Sequence, residues 1–236
     1  MCVILVCPDP SARPSREVLE ACHQANPHGA GLAWRERKRV RWMKNLDVDY
    51  AEALLAELPG EVVIHFRWAS VGGIDADLCH PFPVTATAKT DLFGEADSVL
   101  FHNGTWSAYE EALGLLRSEH GKRIPRGPMS DTRAAAICVH ALGPRLLPKL
   151  PGRWVWMSAT RTRLYGSWCD FEGMKASNLW FLPRPERAEP PWWPDGSFRQ
   201  LDLWKWPEEA DENGEANGAT TRGTATSLWN SDHPSL

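Results

Sequence analysis

The chain has 236 residues and a mass of 26.5 kDa, of which 43% are hydrophobic and 24% charged. That composition builds a core-forming domain with appendages and excludes a wholly disordered or fibrous chain. The net charge is −4, but six acidic residues and one arginine fall in 208–236, so the remainder carries 25 basic against 24 acidic residues. A body so near neutral lacks the basic excess that phosphate contacts require, so no nucleic-acid partner is expected.

Met1–Val6 is a short apolar, β-branched run stopped by Pro8 and Pro10, and predicts a buried strand. It has no basic lead and too few apolar residues for a signal peptide. No run in the chain approaches the roughly 18 apolar residues of a membrane span, so a cytosolic protein without a membrane partner is expected. Ser15 starts a helix as N-cap, with Val18, Leu19 and Cys22 on one face, ending near Asn26-Pro27. Gly29–Trp34 and Val40–Lys44 flank a charged tip and predict a hairpin. Asp47–Leu58 is amphipathic and ends at Pro59-Gly60, a second helix. Glu61–Trp68 predicts a strand. Residues 69–92 form a long loop rich in Gly, Pro and Asp, and loops of that length in a compact domain are often functional.

Ser98–His102 predicts another strand, followed by Asn103-Gly104. Ser107–His120 reads as a helix opened by a Ser107/Glu110 capping box. Ser130 caps a further helix to about Leu142. Trp154–Met157, Arg163–Trp168 and Ser177–Leu182 read as strands of a second sheet. Strands, then two helices, then strands imply α+β layers rather than alternating βαβ units. Residues 183–194 are proline-rich, and 206–236 form an acidic tail, then one rich in Gly, Thr, Asn and Ser, expected to be disordered. The six cysteines stand at 2, 7, 22, 79, 138 and 169, with no CxxC pair, so neither a zinc site nor a thioredoxin-like motif is expected.

Four places carry candidate chemistry. Cys2 follows the initiator Met directly. Once Met1 is removed, a thiol and a free α-amine sit on one residue. A thiol needs a base to become a strong nucleophile, and an α-amine with an ordinary pKa near 8 can be that base. The plainer alternative is a small buried residue. His65-Phe66-Arg67-Trp68-Ala69-Ser70 ends a predicted strand, where Arg67 can bind a carboxylate through two parallel hydrogen bonds or form a surface ion pair. In Phe101-His102-Asn103-Gly104, the Asn103 amide and the Gly104 N–H can form an oxyanion hole, or simply a turn. In Ser130-Asp131-Thr132, Asp131 can pair with an ammonium or compensate a helix N-terminus.

Taken in this order, these elements resemble the class II glutamine amidotransferase domain, a family of N-terminal-nucleophile (Ntn) hydrolases. The matching elements are the Met-Cys start, Asn26-Pro27-His28-Gly29-Ala30-Gly31, HFRWAS at 65–70, His80-Pro81-Phe82, HNG at 102–104, SDT at 130–132 and Ser177-Asn178, spread over about residues 2–182. The resemblance implies a four-layer αββα sandwich of two mainly antiparallel sheets, with the amidotransferase domain over 2–205. It implies Cys2 as nucleophile with its α-amine as base, and Asn103 and Gly104 as oxyanion donors. Arg67 would hold a glutamine α-carboxylate and Asp131 its α-ammonium, with Trp68 and Ser70 lining the pocket. No metal or other cofactor is implied.

Three departures stand out. Ser70 replaces a usual Thr and keeps the hydroxyl, Val71 replaces a His found in some members, and Arg133 replaces a common Glu, so the outer pocket is expected to differ. No acceptor-enzyme region fits after residue 182, and no GxxxxGK[ST] loop is present. The expected activity is a stand-alone glutaminase whose small-molecule substrate is glutamine, giving glutamate and ammonia, with a separate ligase or synthase as partner. A γ-glutamyl amide or peptide hydrolase and an inactive binding subunit are the alternatives. His80 is expected to shape its loop, and Trp192, Trp193, Trp204 and Trp206 to dock on the core or meet a partner.

Overall fold

The computed structural model describes residues 2–183. The Trp-rich segment at 192–206 and the acidic tail lie outside the described residues. The elements run β1 (Val3–Cys7), α1 (Arg16–Ala25), β2 (Ala30–Glu36), β3 (Arg39–Leu46), α2 (Val48–Glu57), β4 (Val62–Phe66), β5 (Phe82–Pro83), β6 (Phe93–Ala96), β7 (Ser98–Asn103), α3 (Tyr109–Ser118), α4 (Asp131–Leu142), β8 (Arg153–Ser158), β9 (Thr162–Tyr165), β10 (Cys169–Phe171) and β11 (Met174–Ala176). Short 3-10 segments span Pro10–Ala12, Ala76–Leu78 and Pro144–Lys149.

Two antiparallel sheets form, one of seven strands ordered β10-β11-β1-β4-β2-β3-β6 and one of four ordered β5-β7-β8-β9. Their stacking follows from the strand pattern. In β1, Val3, Leu5 and Cys7 pack toward α1 and α2, while Ile4 and Val6 point to the other sheet. In β4, Val62, Ile64 and Phe66 face the helices and Val63 faces inward. Side chains alternate across a strand, so a strand covered on both faces reads as an unbroken apolar run. In the second sheet Val99, Phe101, Val155 and Met157 meet the first sheet, whereas Leu100 and Trp154 pack under α3 and α4. The result is four layers, αββα, as the resemblance implies. Each fully buried Leu, Ile or Phe side chain contributes about 1.5–3 kcal/mol.

Helix starts follow local capping chemistry. Ser15 Oγ accepts from the Val18 N–H (3.4 Å), Asp47 Oδ1 from Tyr50 (2.8 Å) and Ser130 Oγ from Arg133 (3.2 Å). The Ser107/Glu110 capping box does not form. α3 starts at Tyr109 behind Ala108, with no side-chain cap. Ser177–Leu182 is not a strand. The ladder on β1 ends at Ala176, and the chain beyond it is irregular. The edge strand β6 has Phe93 and Glu95 exposed and carries no apolar alternation that would announce it. The basic hairpin of β2 and β3 is offset by acidic neighbours: Arg35 pairs with Glu61, Arg39 with Glu95 and Asp97, and Arg41 with Glu36 and Glu95.

Candidate active site

Strand register brings the motifs together. Val3 of β1 stands opposite Phe66 of β4, so the residues one step beyond, Cys2 and Arg67-Trp68, are neighbours. The Trp68 N–H donates to Cys2 Sγ (3.3 Å), and the thiol donates to the Trp68 carbonyl (3.5 Å). On the other flank of β1, the Ser177 N–H donates to Ile4 O (2.9 Å) and Ser177 Oγ accepts from the Ile4 N–H (2.9 Å). Asn178 Nδ2 donates to Cys2 O (2.8 Å), fixing the backbone of the nucleophile candidate. The second sheet supplies Asn103 at the end of β7, and α4 supplies Asp131 as its first residue. Gly104 has φ +149°, and a Cβ there would come within 2.9 Å of Gly152 Cα and His102 Nε2, so only glycine fits without a backbone shift.

Cys2, Arg67, Trp68, Ser70, Gly104 and Asp131 line one cavity. Val71, His80, His102, Ser130 and Thr132 complete its wall. As it stands the cavity has about 20 Å³, the room of one water. Asn103 is the predicted residue that does not line it. It is fully buried behind Gly104, with Nδ2 donating to Ser177 Oγ (2.9 Å) and Oδ1 unpartnered. A half-turn of the amide lets Oδ1 accept from the Ser177 hydroxyl and frees both Nδ2 protons.

The charged groups are arranged unusually for buried ones. Arg67 is 3% exposed and pairs with no carboxylate among the described residues. Its guanidinium donates instead to the carbonyls of Val71 (3.3 Å), Gly73 (2.7 Å) and Asp75 (3.4 Å), which ties down the loop after β4. Asp131 is 5% exposed; Oδ2 accepts from the Trp106 N–H (2.9 Å) and Oδ1 from the Thr132 N–H (2.7 Å). The nearest side-chain nitrogen is His102 Nδ1, 3.5 Å away. Burial pushes the His102 pKa down to about 4, so this imidazole is neutral at physiological pH and does not balance the carboxylate. His102 stacks on Trp154 with centroids 3.7 Å apart and planes 6° from parallel. Burial raises the Cys2 thiol pKa, opposed by the Trp68 N–H, the positive N-terminus and Arg67. The thiol therefore needs a base.

Two sequence readings change. Arg133 does not shape an outer pocket. It donates to the carbonyls of Ala88 (3.0 Å), Thr87 (3.2 Å), Arg126 (3.4 Å) and Pro128, and so clamps two loops behind Ser130. His80, expected only to shape its loop, stands in the cavity wall, with Nδ1 facing the His102 N–H (3.5 Å). The anchoring roles of Ser177 and Asn178 escape a reading of residue types; their signal in the sequence is the Ser177-Asn178 element of the resemblance. No group of three or more His, Cys, Asp or Glu among the described residues is arranged to hold a metal ion. No helix among them is long and apolar enough to cross a membrane.

The chain is similar to the solved structure of glutamine phosphoribosylpyrophosphate amidotransferase from B. subtilis complexed with ADP and GMP, at 16% identity and a TM-score of 0.46, over 69% of this chain and 36% of that one. It is also similar to a structure described as the allosteric regulatory enzyme of purine biosynthesis, at 18% identity and a TM-score of 0.46, again over 69% of this chain and 36% of that one. The chain thus spans about a third of the length of these two structures. No protein-family model and no curated protein matches the sequence.

Proposed function

We propose that this chain is a class II-type amidotransferase domain that hydrolyses the side-chain amide of glutamine to glutamate and ammonia. The observation that carries this reading is one cavity holding a thiol, a buried guanidinium and a buried carboxylate, neither of which has an oppositely charged side-chain partner among the described residues. A zwitterionic amino acid needs one fixed charge of each sign, and burial makes both worth more than in water. Its neutral carboxamide needs only a nucleophile and oxyanion donors. With Met1 removed, the Cys2 α-amine takes the thiol proton. The sulfur attacks the amide carbon, and the oxyanion rests on the Gly104 N–H, joined by Asn103 Nδ2 once its amide turns from Ser177 and moves up to the cavity wall. Collapse expels ammonia, which takes its proton from the α-ammonium, and leaves a thioester. Water, deprotonated by the same amine, attacks the thioester and releases glutamate and the thiol. Entry of a glutamyl group into the small cavity would displace the 70–75 loop that Arg67 tethers. The ammonia would pass to a separate ligase or synthase.

A γ-glutamyl amide with a larger leaving amine is the second reading. It is favoured by Trp68, which lines the cavity yet is 45% exposed, giving an apolar surface at the rim. The test is intact mass and turnover of glutamine and γ-glutamyl amides by wild type and Cys2→Ala. Mature protein is expected to begin at Cys2, and Cys2→Ala to fall to background while keeping its melting temperature. Full activity with Met1 retained, or activity in Cys2→Ala, refutes the mechanism.

A further inference from the structure

His28, in the Asn-Pro-His-Gly segment before β2, plays no part in the mechanism above, yet it holds both peptide units that flank Trp68. Its backbone N–H donates to Arg67 O (3.1 Å). In a trans peptide the C=O and N–H point in opposite directions. The Arg67 carbonyl turned to His28 therefore turns the Trp68 N–H to the other side, where it meets Cys2 Sγ (3.3 Å). The His28 side chain repeats the arrangement one peptide further on. Nδ1 accepts from the Ala69 N–H (2.9 Å), and the carbonyl of that same peptide, Trp68 O, accepts from the Cys2 thiol (3.5 Å). The imidazole also lies against the Trp68 ring, centroids 5.1 Å apart. His28 is itself held in place: Cys79 Sγ donates to its carbonyl (3.4 Å), and Gly29 O accepts from the Arg67 N–H (2.9 Å).

We propose that His28 is a positioning residue for Cys2: its imidazole Nδ1 aims the 68–69 peptide so that the Trp68 carbonyl takes the thiol hydrogen bond and fixes the sulfur's rotamer. The proposal rests on Cys2 as the nucleophile. Accepting at Nδ1 places the neutral ring's proton on Nε2. A carbonyl that accepts from S–H favours the protonated thiol, so this bond trades intrinsic reactivity for a sulfur held in one attack geometry. The other groups that act on the thiol are the Trp68 N–H, the N-terminus, Arg67 and Asp131; Cys79 faces His28.

The two effects have opposite signs, and that is the test. His28→Ala lets the 68–69 peptide turn. The alkylation rate of Cys2 by chloroacetamide at pH 7, read by peptide mass, is expected to rise about threefold to fivefold, the worth of one modest hydrogen bond. The midpoint of the alkylation pH profile is expected to fall. In the same protein kcat for glutamine is expected to drop about tenfold with KM within twofold, as the sulfur loses its fixed rotamer. His28→Asn keeps an acceptor at the δ position and is expected to restore both readouts; it also serves if the alanine variant folds poorly. Unchanged or slower alkylation in His28→Ala, or an Asn variant that behaves like Ala, overturns the proposal. If wild type does not turn over glutamine, the proposed function fails on its own, and the alkylation arm still decides the role of His28.

Discussion

Arg67→Lys separates the loop tether seen in the structure from the carboxylate contact proposed above. Three of the five guanidinium N–H groups go to the carbonyls of Val71, Gly73 and Asp75, both Nη2 hydrogens among them; the remaining Nε–H and Nη1–H lie on different edges, so a two-bond grip on a substrate carboxylate needs one loop contact to be released. An ammonium keeps the charge but not the planar fork, and it cannot reach carbonyls spread around that plane. Hydrogen bonds to a charged donor are worth about 1.5–3 kcal/mol each, and the 3.4 Å contact to Asp75 lies at the weak end. Arg67 is only 3% exposed, so water replaces little of what is lost. Losing two of the three contacts, one of them the weak one, costs about 2–4 kcal/mol, a fall in melting temperature of roughly 4–16 °C for a domain of this size. The kinetic arm compares glutamine with 4-aminobutanamide, which lacks the α-carboxylate. A lost carboxylate contact of about 1.5–3 kcal/mol lowers kcat/KM for glutamine roughly tenfold to a hundredfold, whereas the analogue suffers only the loosened loop. Thermal melts and steady-state kinetics on the two amides read both duties. An unchanged melting temperature refutes the loop tether. Equal losses for the two amides refute the carboxylate site, even with the fold intact.

Asn103→Ala is expected to lower kcat roughly 10²–10³-fold with little change in KM, the usual loss for one oxyanion donor; a pure KM effect would place the amide on ground-state substrate instead. His65 is fully buried between the sheets, neither ring nitrogen has a hydrogen-bond partner among the described residues, and burial pushes its pKa down to about 3. The unfolded chain takes up that proton near the ordinary 6.5, so the stability present above pH 6.5 is lost as pH falls toward 3, on the order of 4–5 kcal/mol at about 1.36 kcal/mol per pH unit. His65→Leu is expected to flatten that acid limb and to raise the melting temperature at pH 7, checked by thermal melts across pH 3–8. A leucine variant with the wild-type acid slope would show that other groups carry the acid lability.

The features legible in the sequence are those set by neighbours in the chain. Ser15, Asp47 and Ser130 cap the helices they precede because an N-cap bond needs only the next three residues. β1 and β4 read as buried strands because both their faces are covered. The same local logic fails where a local signal competes with packing. Ser107 and Glu110 have capping-box spacing, yet α3 starts two residues later. In Ser177–Leu182, Ser177 and Asn178 spend their polar groups on Ile4 and Cys2 rather than on a ladder.

The candidate site divides the same way. The residue types of Cys2, Arg67, Trp68, Ser70, Gly104 and Asp131 are read directly from motifs, and all six meet in one cavity. Which of their atoms remain free is decided only in three dimensions. Arg67 shares its guanidinium with a loop, Asn103 sits behind the wall on Ser177, and Arg133 turns to backbone carbonyls. His28 reaches the thiol through peptide planes 40 residues further along the chain. A motif names a side chain's chemistry, but its donors and acceptors are allotted by whatever tertiary neighbours come within about 3 Å, because a buried polar group left unpaired costs more than the pair is worth.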